Sequence, residues 1–161
     1  MTDLQEIRGP FVARAISPAE TRYIRHSVLW PHKESFQDCV IDIDGESHAH
    51  HVGAFDSNGF HVGVCSLFLQ RSERFPEAIP VDDSVYRLRV MATIPEVRGL
   101  GAGATIVDYA CAWARSKGMA WIWCDARKVA FGFYERMGFE FVSDLYEIDP
   151  IGPHRMMARK L

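Results

Sequence analysis

The stretch Arg98-Gly99-Leu100-Gly101-Ala102-Gly103 constrains this chain more than any other. It stands between an alternating apolar run and a run with helical spacing, and its glycines occupy alternate positions. Glycine there removes the side chains that would hold a ligand away from the backbone, so successive N–H groups can form a nest at a helix start. Such a nest takes an anion, and a phosphate is its natural occupant. The rest of the chain must then supply a strand before the turn, a helix after it, and the chemistry beside the phosphate.

The flanking residues supply both elements. Val85 to Thr93 alternates Arg87 and Arg89 with Leu88 and Val90, the pattern of a strand with one core face and one polar face. Ala104 to Lys117 carries Ile106, Val107, Ala110, Trp113 and Ala114 at helical spacing, closed by Gly118, and Ala120 to Cys124 is a short apolar strand. Together they predict a βαβ-like unit whose two strands are parallel neighbours. Upstream, Phe11 to Ile16 reads as a first strand, with Val12 and Ile16 facing away from Phe11. Ser17-Pro18-Ala19-Glu20 opens a helix that runs to about Leu29, with Ile24, Val28 and Leu29 inward. His32 to Ser47 reads as loop with a short strand near Cys39 to Ile43. His50 to Phe55 and Phe60 to Phe68 make a hairpin about Asp56-Ser57-Asn58-Gly59, followed by a loop from Gln70 to Asp83. Downstream come a helix from Lys128 to Met137 ended by Gly138, then strands Phe139 to Ile148 and His154 to Leu161 joined through Pro150-Ile151-Gly152-Pro153.

Composition narrows the function classes. A chain of 161 residues, 48% hydrophobic, fits one domain over 1–161 with a continuous core. Net charge of −3 with scattered basic residues argues against a nucleic-acid partner. No run approaches the roughly 18 apolar residues of a membrane span, and the acidic start does not read as a signal peptide, so the expectation is a cytoplasmic protein with no membrane partner. Cys39, Cys65, Cys111 and Cys124 lack C-x-x-C spacing and read as reduced, buried thiols. Among His48, His50 and His51, alternation turns His51 away from the other two, leaving an incomplete ligand set, and no metal is expected. Trp121 and Trp123 share a strand face and read as packing or a dimer surface, so a homodimer stays open.

Two phosphate ligands compete. Gly99 to Ala104 satisfies the G-x-G-x-x-A form of the dinucleotide fingerprint, and Asp125 closes the next strand where a ribose-binding acid belongs. Against it, Ile94-Pro95-Glu96-Val97-Arg98 separates strand from glycines, and the chain after Asp125 holds only a helix and a hairpin. There is no room for a second mononucleotide half.

The lead-in decides the matter by likeness. Thr93-Ile94-Pro95-Glu96-Val97-Arg98-Gly99-Leu100-Gly101-Ala102-Gly103 resembles the acyl-CoA motif R/Q-x-x-G-x-G/A of the GNAT superfamily of N-acyltransferases. Ala130 with Tyr134-Glu135-Arg136-Met137-Gly138-Phe139 resembles its second motif, A-x-x-x-Y-E-x-x-G-F. Ile24-Arg25-His26-Ser27-Val28-Leu29-Trp30-Pro31 and Ile151-Gly152-Pro153-His154 are similar to signatures of a bacterial subset with mostly unassigned acceptors, so the likeness covers most of the chain.

The resemblance implies an α/β (α+β) fold: a mixed, mostly antiparallel central sheet flanked by helices, with a parallel strand pair splayed around the acyl-CoA site. It implies acetyl-CoA as acyl donor, with the main chain of Met91, Ala92 and Thr93 on the pantetheine and the thioester oxygen. Arg98, Gly99, Leu100, Gly101, Ala102 and Gly103 would hold the pyrophosphate. Tyr134 would protonate the departing thiolate, a role open to a phenol with an ordinary pKa of about 10. Arg127 stands where the family often places a cofactor-bonding asparagine; it supplies donors without an amide oxygen, so either the cofactor contact is rearranged or Arg127 serves the acceptor instead. Arg25, His26, Asp125 and His154 are candidates for the acceptor pocket, with structural hydrogen bonding as their alternative. Cys124 reads as a buried thiol, with an acyl-accepting nucleophile as the lesser option. The expected activity is acetyl transfer to a primary amine of a small molecule or peptide, and the competing class is a non-catalytic CoA-sensing module.

Overall fold

A computed structural model describes residues 3–161. They gather into two compact units, one of residues up to Phe68 together with Leu88–Trp113, the other of Leu69–Arg87 and Ala114–Leu161.

In the first unit, β1 (Gln5–Arg8), β2 (Phe11–Ile16), β3 (His50–Phe55) and β4 (His61–Phe68) pair antiparallel in chain order. The Leu88–Thr93 part of β5 (Val85–Thr93) follows β4. Strand β1 has no counterpart in the sequence reading, because its four residues are almost all exposed and carry no apolar alternation. The hairpin between β3 and β4 turns where expected, with the Asp56 N–H donated to the Phe60 carbonyl and Gly59 at φ +82°.

The capping box at Ser17 forms in both directions: the Ser17 N–H donates to Glu20 Oε1 at 3.0 Å and the Glu20 N–H to Ser17 Oγ at 3.3 Å. Beyond the box the chain is less regular than one helix. It winds as a 3₁₀ turn (Ala19–Thr21), a single α turn, α1 (Arg22–Ile24), and a π turn (Arg25–Leu29) closed by the Trp30 N–H on the Arg25 carbonyl. Ile24 packs on Val64 and Ala92, with Val28 and Leu29 against them. The strand expected near Cys39 to Ile43 does not form. A 3₁₀ turn (Phe36–Asp38) and further turns replace it, since the Ile41 N–H that a strand would need is donated to Asp44 Oδ2 at 2.8 Å.

Asp44 anchors the interior of this unit. Arg25, 0% exposed, grips its carboxylate with both guanidinium nitrogens at 2.6 and 2.9 Å, and also donates to Ser66 Oγ and the Cys39 carbonyl. Buried His51 joins the same network, Nδ1 to Ser66 Oγ at 2.7 Å and Nε2 to the Asp44 carbonyl at 3.0 Å. On the other face of β3, His50 bonds the Tyr109 hydroxyl at 2.8 Å and stacks on Trp113. The two histidines thus diverge as alternation requires.

In the second unit, the Val85–Arg87 part of β5 runs parallel to β6 (Trp121–Arg127), the register ending at Arg87 opposite Trp123. Strand β9 (Gly152–Lys160) pairs antiparallel with β6 and carries β7 (Glu140–Phe141) and β8 (Tyr146–Ile148). The long strand expected over 139–148 is therefore two short ones. Ser143 interrupts it, its Oγ accepting the Met156 N–H at 2.8 Å in place of a ladder partner. Ile79, Val85, Trp123, Met156 and Ala158 form the core here. Both tryptophans serve packing: the Trp123 indole donates to the Gln70 carbonyl and that of Trp121 to Asp83. Helix α2 (Ala102–Ser116), whose residues up to Trp113 belong to the first unit, ends with Gly118 at φ +75°. Helix α3 (Phe131–Arg136), led by a 3₁₀ turn (Lys128–Ala130), ends with Gly138 at φ +84°. Apart from β5 with β6, these strand pairs are antiparallel, a mixed α/β architecture. Among the described residues, no helix is long and apolar enough to cross a membrane.

Removing the Arg25 guanidinium would strand Asp44 without its partner. Arg25→Ala is expected to cost about 3–5 kcal/mol in chemical denaturation. Burial works against the Asp44 carboxylate, yet the bonds from Arg25 and the Ile41 N–H hold its pKa below the ordinary 3.8. Its stabilisation is therefore complete above that ordinary value and is lost as pH falls towards the depressed one. Asp44→Asn should flatten the acid side of the stability–pH curve, measured by thermal unfolding at stepped pH.

Candidate active site

Strand β5 carries a kink where the acyl donor was expected. Val90 sits at φ +48°, a left-handed conformation that is costly for a β-branched residue. Alternation of burial breaks there, so Arg89, Val90 and Met91 are all half-buried before Ala92 turns inward. A strand bent in this way re-aims the main-chain groups of Met91 to Thr93.

The chain then makes a 3₁₀ turn (Pro95–Val97) and enters the glycine turn with Gly99 at φ +78° and Gly101 at φ +106°. Only glycine adopts such angles without strain. Helix α2 starts at once, and the Thr105 N–H and hydroxyl both bond the Gly101 carbonyl. The N–H groups of its first turn have no carbonyl within the helix to receive them, and they meet the positive end of a 15-residue helix dipole. Exposed Arg98 lies beside them, its Nη2 3.5 Å from the Thr93 carbonyl. Arg8 of β1 adds a second cation: its Cδ is 3.7 Å from the place a Gly101 Cβ would take, and its head pairs with Asp108 at 3.1 Å. No periodicity pointed to Arg8, because the strand that carries it left no pattern.

In the second unit, Tyr134 of α3 is 6% exposed and lies beside Cys124 of β6, whose thiol it helps to hold down in pKa. Burial, then the neighbouring Asp125 carboxylate, pushes the Cys124 thiol up, so it stays protonated and poor as a nucleophile. All four cysteines are free and buried.

The other predicted residues part company. Arg25 is spent on Asp44, Ser66 and Cys39, the structural alternative. His26 Nε2 bonds the Lys33 carbonyl at 2.8 Å. Arg127 is exposed at the end of β6. Asp125 and His154 converge on Tyr146: the Tyr146 hydroxyl donates a short hydrogen bond to Asp125 Oδ1, and the His154 ring stacks on Tyr146 at 6.1 Å while its Nδ1 bonds the Gly152 carbonyl. Arg87 Nη2 holds Asp125 Oδ2 at 2.7 Å. Sequence reading missed Tyr146, which no motif marks; Arg87 was visible as a charge on a largely buried strand. Among the described residues, no three His, Cys, Asp or Glu side chains are placed to hold a metal ion.

Comparison with known proteins adds four findings. The family model described as Acetyltransferase (GNAT) family matches residues 14–139. The chain is 32% identical to YitI of Bacillus subtilis (strain 168), named an uncharacterized N-acetyltransferase, over 92% of this chain and 95% of that protein. Its fold is shared with a spermidine N-acetyltransferase SpeG variant from Vibrio cholerae (TM-score 0.69, 14% identity, 95% of both chains). It is shared also with FeeM, an N-acyl amino acid synthase from uncultured soil microbes (TM-score 0.65, 14% identity, 93% of this chain and 90% of that one).

Substituting the strained glycine tests the turn. Gly101→Ala keeps ordinary contacts, since Arg8 Cδ is 3.7 Å away, but must hold a left-handed angle. It should cost about 1–3 kcal/mol in stability and raise the KM for acetyl-CoA, read from thermal unfolding and thiol release.

Proposed function

Because the chain belongs to the GNAT acetyltransferase family and is thereby an acyl-CoA-dependent N-acetyltransferase, we propose that it transfers acetyl from acetyl-CoA to a primary amine. The acceptor is a small molecule or peptide, which attacks directly in a ternary complex, and residues 1–161 act as a single acyltransferase domain. The observation that carries this reading is the left-handed glycine turn opening onto α2.

Each role rests on the local chemistry. The first-turn N–H groups after Gly99 and Gly101, with Arg98, receive the pyrophosphate; backbone donors set its geometry and the guanidinium adds charge. Main-chain groups of Met91, Ala92 and Thr93, re-aimed by the Val90 kink, bond the pantetheine amides. A fixed N–H there faces the thioester oxygen and stabilises the oxyanion of the tetrahedral intermediate. Tyr134 protonates the thiolate as it leaves.

Tyr134→Phe should lower kcat by about 10²-fold while the affinity for acetyl-CoA stays close to wild type, as measured by thiol release and by calorimetry. Tight acetyl-CoA binding with no thiol released from any amine, amino acid, polyamine or peptide would instead favour a sensing module.

A further inference from the structure

We propose that Arg8 of β1 is a further phosphate ligand of the acyl-donor site, parked on Asp108 while no donor is bound; this rests on the donor reading above. Arg8 belongs to no motif and reaches the glycine turn through strand pairing alone. The tight link Gly9-Pro10 sets β1 against β2 with Arg8 opposite Phe11. Opposed residues of an antiparallel pair share a face. Phe11 is buried, so Arg8 leaves the sheet on its covered side. Its stem then crosses the glycine turn, with Cδ and Cγ 3.7 and 3.9 Å from the place a Gly101 Cβ would take. The head continues to Asp108, on the stripe of α2 that runs on from Gly101 through Thr105. All of these residues belong to the first unit.

The ion pair that holds the head is easily given up. It is a contact of Nη2 with Oδ2 at 3.1 Å, between side chains 52% and 32% exposed. Such pairs contribute little, because solvent screens them and a long side chain must be held still to make them. The guanidinium also keeps further N–H donors in its planar fork beyond the one that meets Asp108. A phosphate seated on the first-turn N–H groups of α2 comes within a side chain's reach of that fork. Rotation beyond Cδ carries the head from Asp108 to the phosphate while β1 stays paired. Charge-assisted bonds of this kind are about twice as strong as neutral ones, and the phosphate carries more charge than the carboxylate it replaces. The phosphate therefore wins the fork.

The two partners should then act in opposite directions on donor affinity. Loss of the guanidinium removes a ligand, whereas loss of the carboxylate removes a competitor. A pair that only pinned β1 to α2 would behave otherwise, since either loss would loosen the same contact.

Calorimetric titration with CoA and with dephospho-CoA, at low and high salt and with no acceptor present, tests this role. Arg8→Ala should weaken CoA binding about tenfold at low salt, and the loss should shrink at high salt. Arg8→Lys, which keeps the charge without the fork, should recover part of it. Asp108→Asn should tighten CoA binding by about threefold, and adding Arg8→Ala should abolish that gain. Asp108→Asn leaves Arg8 in place and covers the case in which Arg8→Ala fails to fold. A loss retained with dephospho-CoA assigns the contact to the pyrophosphate, and a loss confined to CoA assigns it to the ribose phosphate; either supports the role. Arg8→Ala that binds CoA as tightly as wild type, or Asp108→Asn that binds it more weakly, overturns the role of Arg8 alone. Wild-type protein that binds neither compound overturns the donor reading and Arg8 with it.

Discussion

The interior of the first unit depends on a guanidinium that has no contact with water. Arg25 ties the π turn that bears it to Asp44 in the following loop and to Ser66 of β4, and His51 of β3 closes the circle. Burying a charge is expensive unless it is paired and bonded throughout. Here both carboxylate oxygens, a hydroxyl and a carbonyl answer it, while its Nε remains buried without a partner. The loop that would otherwise have been a strand is shaped by this demand, because Asp44 needs the Ile41 N–H as well. The irregular winding from Ala19 to Leu29 accommodates the same side chain while still presenting Ile24, Val28 and Leu29 to the apolar cluster.

A second constraint acts on strand β5. Its alternation of burial breaks from Arg89 to Met91. Val90 adopts there an angle that its side chain disfavours. Strain of this kind persists only where the surroundings over-determine it. Here Leu88 and Ala92, buried on either side, fix the strand at both ends of the kink. The Ala92 carbonyl is in turn crowded by Gly63 of β4, where a Cβ would lie 3.2 Å from it and 2.8 Å from Ile106.

Much of this was legible in the residues. Alternation located β2 and β5, turn residues located the β3–β4 hairpin, an apolar run located β6, the capping residues located the turn at Ser17, and glycines marked the ends of α2 and α3, because each is a local rule with a local cause. The glycine turn and the Tyr134 segment were readable as paired motifs. The features that stayed hidden depended on partners far away in sequence. The fate of Arg25 was decided by Asp44 and Ser66, and the break at Ser143 by Met156. Arg8 could not be placed at the glycine turn without β1, nor Tyr146 at Asp125 without the pairing of β8 on β9. Arg87 was legible only as a polar position on an alternating strand, and its ion pair with Asp125 depended on β6.

The burial of all four cysteines has a practical side. An aromatic disulfide reagent added to the folded protein meets no exposed sulfur, and burial keeps Cys65 and Cys124 in their unreactive thiol form. Colour developed in the presence of acetyl-CoA therefore reports free CoA rather than the protein itself. The same reagent, applied without substrate while the temperature is raised, becomes a counter of opened interiors: Cys65 and Cys111 report on the first unit and Cys124 on the second.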